Sequence, residues 1–259
     1  MTGGRELMYD INSGLIALAL LLMMLAAMWV GNRRGLARHA SENEESRSQT
    51  LAVQGSLLGV LALLLGFTFS LALARYDDRS RAVVDEANAI GTAQLRADLL
   101  PEALAVEAGQ LFDRYIELRI TAGAVAVVEE DERAALLAES EAVFASLWEL
   151  AMVANEEQPG PASVSFASAL NDMIDSYAVR DAALDRHVPE IVLMLLYLTF
   201  VFLGAILGYA AGVTGIRPGP PVHAMVVLIV MLVFVIVDLD RPRRGLIAVD
   251  QSALLAMAP

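Results

Sequence analysis

Four stretches of the chain carry no Asp, Glu, Lys or Arg: Ile11–Val30, Leu51–Ala74, Ile191–Ile216 and Val222–Val237. Their hydropathy predicts four membrane spans. The last has 16 residues. As a helix it covers about 24 Å, so it needs Pro220, Pro221 or Asp238 at its edges, or else it is a re-entrant or interfacial helix. The first stretch also invites reading as a signal peptide. Its flank has only Arg5 as a basic residue, Asp10 adjoins it, and no small-x-small cleavage site ends it, so a retained span is expected.

The second block passes without a break into RYDDRSRAVVDEANAIGTAQLRADLL, Arg75 to Leu100, and helix-compatible residues continue until Pro101. One helix from Leu51 to Leu100 would measure about 75 Å, against a hydrocarbon core of about 30 Å. The spacing therefore predicts a helix that begins in lipid and continues into water. Along the continuation, Ser70, Ala74, Asp77, Arg81, Val84, Asn88, Gly91 and Leu95 form one stripe at four- and three-residue steps. The stripe is mostly small or polar. It suits a face that lines water or approaches a neighbour closely, or one solvated by the pairs Asp77–Arg81 and Asp78–Arg81.

From Ala103 to His187 the pattern is helical throughout, with Leu111, Tyr115, Leu118 and Ala122 on one stripe. Further helices are predicted over Asp131–Met152 and Phe166–Arg186, separated by a loop at Asn155–Ser163 that contains Pro159, Gly160 and Pro161. The predicted fold is all-α. Residues 1–74 form a first transmembrane hairpin, and 75–187 a helical soluble domain whose first helix continues span two. Residues 188–240 form a second hairpin, with spans near 191–212 and 222–237, and 241–259 a short tail.

Composition agrees: 57% of residues are hydrophobic, and the mean hydropathy is +0.56. Residues 75–187 hold 22 acids against 9 arginines, a net of −13 that equals the charge of the whole chain. Such a region repels a phosphate backbone, so no nucleic-acid partner is expected. All 18 basic residues are Arg, and there is no Cys, which excludes disulfides and thiolate chemistry. Near the span ends, nine arginines (Arg5, Arg75, Arg79, Arg81, Arg180, Arg186, Arg241, Arg243 and Arg244) fall on the side of the termini and the soluble domain. Five (Arg33, Arg34, Arg38, Arg47 and Arg217) fall on the other. The count places termini and soluble domain in the cytoplasm, while the cluster after span one argues the opposite way.

Candidate chemistry is sparse. The sequence holds no H-E-x-x-H, P-loop, G-x-S-x-G or G-x-G-x-x-G motif, and no enzyme is expected. Asp85, Glu86 and Asn88 are the densest oxygen-bearing group on the long helix. EF-hand spacing is absent and one helix cannot surround an ion, so no metal or other cofactor is expected. Asn88 and Thr92 instead suit hydrogen bonds between helices or subunits. Gly204, Gly208 and Gly212 in span three, and Gly55 and Gly59 in span two, repeat a small-x-x-x-small register for helix packing. His223 is read as an interfacial ring. No charge falls inside a predicted span, which weakens an ion-coupled transporter but not a channel with apolar constrictions.

At the join, GFTFSLALARYDDRSRAVVDEANAIGTAQLRADLLP, Gly66 to Pro101, resembles the bacterial bestrophin-like membrane proteins. Phe67, Arg75, Arg79, Asp85, Glu86, Ala87, Asn88, Ile90, Gly91, Thr92, Leu95, Arg96 and Leu100 carry the likeness. It implies a multi-pass protein of the bacterial inner membrane, assembled as a homo-oligomer in the bilayer. Bestrophins proper are pentameric anion channels, so the resemblance further implies span two around a pore for a small ion. Leu64, Phe67 and Leu71 are then neck candidates and Asp77 a pore candidate. The acidic insert departs from an anion channel and would favour cations unless its acids face outward, so ion selectivity stays open; the calcium clasp of animal bestrophins has no matching sequence here. The alternative reading is a non-conducting oligomeric scaffold whose acidic domain binds a protein.

Overall fold

A computed structural model describes residues 11–41, 43–125, 130–184, 186–241 and 246–258. Among them are eight helices: α1 (Ser13–Arg38), α2 (Glu44–Ala97), α3 (Glu102–Ala124), α4 (Glu130–Glu157), α5 (Pro161–Leu184), α6 (Glu190–Val213), α7 (Pro220–Leu239) and α8 (Ser252–Leu255). The chain is all-α, and α1, α2, α6 and α7 are long and apolar enough to cross a membrane. Arg5, Asp10, Arg243 and Arg244, which enter the leader and orientation arguments, lie outside the described residues. The chain divides into two compact units: residues 1–74 with 187–241, and residues 75–186 with 242–259. The boundary at residues 74 and 75 falls inside α2, which contributes to both.

In the first unit, α1 and α6 run parallel and share a glycine seam. A Cβ at position 208 would sit 1.9 Å from the Met28 carbonyl oxygen, and one at 204 would sit 2.6 Å from that of Met24. A Cβ at Gly212 would meet the Asn32 carbonyl oxygen at 2.4 Å. The contact is reciprocal, because a Cβ at Gly31 or Gly35 would sit 2.0 or 2.4 Å from the carbonyl oxygens of Ala205 and Tyr209. Hydrophobic burial does not hold helices together in lipid, so close backbone approach takes its place. Only residues without side chains permit it.

Carbonyls at the end of α6 need donors that lipid cannot supply. Asn32 Nδ2 donates to Gly208 O at 3.3 Å and Ile216 O at 3.0 Å, and His39 Nδ1 donates to Val213 O at 2.7 Å. Gly215 then turns the chain at φ +79°, with the His39 ring occupying the space a side chain would need. At the other end of α6 both Asp240 carboxylate oxygens accept the Val188 N–H at 3.0 Å, placing negative charge beside the helix start. Leu20, Met24, Leu196, Phe200, Val226 and Val233 are buried between these helices. Leu18, Leu22, Trp29, Leu198, Phe202 and Met231 are more than half exposed. An uninterrupted apolar surface of that kind is what a helix presents to lipid.

The second unit packs α3, α4 and α5 with the residue 75–97 part of α2. Ile90, Phe112, Ile116, Leu147, Phe166 and Leu170 form its core, with Phe112 edge-on to Phe166 at 6.5 Å between ring centres. Two helices run beyond their predicted ends. The first is α4, which extends to Glu157; the second is α5, which begins at Pro161, so the loop predicted over Asn155–Ser163 shrinks to 158–160. Proline breaks a helix interior but fits a first turn, where its missing N–H would have had no partner. The C-terminal residues, expected as a tail, pack into this unit through buried Val249 and Leu254.

Candidate functional site on helix α2

Helix α2 carries an exposed face in each unit. In the first, Val60, Leu63 and Phe67 are each at least 60% exposed and Ser70 and Ala74 are exposed; in the second, Asp77, Arg81, Val84, Asn88 and Leu95 are exposed. Leu71 is exposed as well, whereas Leu64 is partly packed into the core of the first unit. At about 100° per residue the exposed residues of α2 fall along two edges. Val60, Phe67, Asp78 and Asp85 share one line of register to within about 20°, with Leu71 about 40° away. Gly55, Gly59 and Gly66 lie about 80–120° to one side, together with Asp77, Val84 and Leu95. A Cβ at any of these three glycines would meet no atom within 4 Å, in contrast to the crowded glycines of α6.

The opposite face of α2 in the second unit is inward and charged. Glu86 is fully buried and accepts from Arg119 Nε through Oε1 at 2.6 Å, while its Oε2 accepts from Arg180 Nη1. Arg180 Nη2 donates onward to Gln251 Oε1 at 2.8 Å. Arg119 also lies over the Tyr177 ring, 4.4 Å from its centre. Burial pulls the Arg119 pKa down, but the Glu86 charge and hydrogen bond together outweigh it and hold the guanidinium above its ordinary range. Burial pushes the Tyr115 phenol well above its ordinary 10.0. Two arginines thus share one carboxylate, and each buried charge has an opposite partner, as interior charges require.

The candidate residues therefore divide. Asp85, Asn88 and Thr92 face outward, and Thr92 Oγ1 donates to Asn88 O of its own helix at 2.9 Å. Glu86 points inward, so the oxygen-bearing trio does not converge. No group of three or more His, Asp or Glu among the described residues is arranged to hold a metal. Arg79 is buried and donates to the Ala183 and Arg186 carbonyls at 3.2 and 2.6 Å, closing the end of α5. Arg96 Nη1 donates to Ser165 O at 3.0 Å, and Arg75 is half-buried. A Cβ at Gly91 would lie at ordinary contact distance from the Met257 side chain. Arg81 pairs with Asp78 at 3.3 Å, both well exposed, so that pair is worth only a few tenths of a kcal/mol.

Nothing in the sequence pattern singles out Arg119 or Gln251. A signal existed for Arg180. It falls on the buried stripe Phe166, Leu170, Met173 and Ala183, where a charge needs a partner.

A family model described as bestrophin-like, a bestrophin-like domain, matches residues 15–254. No curated protein and no solved structure matches the chain.

Proposed function

The chain belongs to the bestrophin-like family as a multi-pass membrane protein; from that premise we propose that it assembles into a homo-oligomeric ion channel with α2 around the axis. The carrying observation is the open face of α2, with its two edges of different chemistry. A helix in a ring needs one edge toward its neighbour and another toward the axis. The edge with Gly55, Gly59 and Gly66 suits a neighbouring copy, since bare backbone lets helices approach closely. On the water-soluble part of the same edge, exposed Val84 and Leu95 suit burial against another copy.

The edge carrying Phe67 then faces the axis. Phe67 and Leu71 form an apolar neck, and Leu64, partly packed within its own unit, backs it. Among the acids, Asp78 and Asp85 share the Phe67 register, whereas Asp77 lies toward the glycine edge. Rings of Asp concentrate cations and repel chloride, so the channel favours cations. The pentamer of bestrophins proper is the assembly assumed, with termini and residues 75–187 in the cytoplasm of a bacterial inner membrane.

The test is flux in liposomes containing the reconstituted full chain. Potassium flux should exceed chloride flux, Phe67→Ala should raise both, and Asp78→Asn with Asp85→Asn should reduce the cation preference. An assembled oligomer that passes neither ion overturns conduction. The open glycine edge also supports a second reading, a closed scaffold of tightly packed α2 helices, and that result would favour it.

A further inference from the structure

Where α1, α2 and α6 meet at one end of the membrane unit they leave a groove of about 370 Å³. Its walls differ in chemistry. The first turns of α2 bring Ser46, Gln49 and Thr50 to it, and α1 brings Arg34. Val53 and Ile206 supply the apolar part, beside Gly31 and Ala205. The glycine seam creates this shape, because Gly31 lies so close to the Ala205 carbonyl that no side chain fills the space between the helices.

Two neighbouring cations are engaged elsewhere, and Arg38, one turn beyond Arg34, does not line the groove. The Arg33 guanidinium stacks on Trp29, 4.1 Å from the ring centre, and Arg47 Nη2 donates to the His39 carbonyl at 3.3 Å. Arg34 has neither a carboxylate partner nor a hydrogen bond among the described residues, and it lines the groove. Glu44 and Glu45, exposed at the start of α2, do not line it. The groove thus offers one uncommitted cation, a set of hydroxyl and amide groups, and an apolar floor, at the level where α1 changes from Met24 and Met28 to Arg33 and Arg34. That order, from charged to apolar, matches a phospholipid read from its phosphate inward.

We propose that the groove binds one anionic phospholipid, with its phosphate on Arg34, Ser46 and Gln49 and an acyl chain along Val53 and Ile206. The volume is at the lower end of small-molecule sites and accommodates a headgroup phosphate with the glycerol and first methylenes. An arginine at the headgroup level contributes about fivefold in affinity for anionic lipid.

The experiment adds phosphatidylglycerol to the purified full chain in detergent and counts bound lipid by native mass spectrometry. Phosphatidylcholine and inorganic phosphate are the competing arms. Phosphatidylglycerol should be retained in preference to phosphatidylcholine, and inorganic phosphate should fail to displace it. Arg34→Gln should weaken retention about fivefold, and Arg33→Gln should weaken it less. Ile206→Trp, which fills the apolar floor, should also weaken it, whereas Trp29→Phe, outside the groove, should not. Equal loss from Arg33→Gln and Arg34→Gln would mean diffuse surface charge and overturn the site. Displacement by inorganic phosphate, or unchanged retention in both Arg34→Gln and Ile206→Trp, would overturn it too.

Discussion

Glu86 Oε1 accepts from Arg119 Nε at 2.6 Å, across 33 residues of sequence, with the two side chains 0% and 4% exposed. A second arginine, Arg180, reaches the other oxygen of the same carboxylate. Glu86 therefore ties α2 to α3 and α5 from the inside, while the face of α2 proposed to meet other subunits looks the other way.

Removing that carboxylate should be far more damaging than its position on a polar helix implies. Glu86→Gln leaves two guanidinium groups buried without a counter-charge, a loss of about 3–5 kcal/mol. The expected result is a marked fall in thermal midpoint of the full chain in detergent. Replacing Glu86, Arg119 and Arg180 together with Leu and Met should recover most of the midpoint. A midpoint unchanged by Glu86→Gln would remove the triad from any structural role.

The glycines of α6 and α2 should respond oppositely to enlargement. Gly208→Val drives carbons into the Met28 carbonyl and should reduce the yield of folded protein. Gly59→Val meets nothing within its own chain, so the monomer should fold. Under the proposed assembly it should weaken the oligomer, read by cross-linking and size-exclusion chromatography. An intact oligomer in Gly55→Val, Gly59→Val and Gly66→Val alike would assign the contact between copies elsewhere.

Alkaline pH should loosen the second unit. Burial raises the Tyr115 pKa above its ordinary 10.0, and outweighs the nearby Arg119 charge, which pulls it down. A raised tyrosine pKa means that the folded state holds its proton more tightly. The associated stability is fully present below about pH 10 and declines as pH rises from there through the higher folded value. Tyr115→Phe should flatten that decline, as followed by denaturation midpoints at pH 9 to 12, and the absorbance titration of phenolate should lose a group that ionises above the ordinary range.

The C-terminal segment should loosen when its polar anchor is removed. Gln251→Ala deletes the 2.8 Å acceptor of buried Arg180, at a cost of about 1.5–3 kcal/mol for a hydrogen bond to a charged group. Hydrogen exchange should accelerate in residues 246–258 more than in α6 and α7. Uniform acceleration across the chain would contradict a local anchor.

Membrane orientation follows from single cysteines, which are unambiguous in a chain without any. Asp98→Cys should react only from the cytoplasmic side and Ser41→Cys only from the other. The reverse pattern would uphold the cue from Arg33, Arg34 and Arg38 over the wider arginine count.

Much of the architecture was legible because it is local or compositional. Charge-free runs mark the spans, and the absence of Pro from Leu51 to Leu100 announces one long helix, realised as Glu44–Ala97. Helix ends were less legible: Pro161 reads as a breaker in sequence but opens α5. The stripe Ser70, Ala74, Asp77, Arg81, Val84, Asn88, Gly91 and Leu95, all exposed except half-buried Gly91, was visible from periodicity, as was the small-residue register of Gly204, Gly208 and Gly212. Their surroundings were not. Spacing identifies a helix that tolerates close approach, yet it does not say that Gly31 and Gly35 provide the other half of the seam.

By itself, then, the sequence determined the all-α character, the four apolar helices, the acidic region and the continuity of α2, because each depends on neighbours within a few residues. Tertiary structure decided which of two adjacent carboxylates, Asp85 and Glu86, meets water and which meets two arginines. It also turned a presumed tail into part of a packed unit and left Gly55 and Gly59 open while closing Gly208. These outcomes rest on contacts between residues tens to hundreds of positions apart, and their energies depend on burial that no short window of sequence contains.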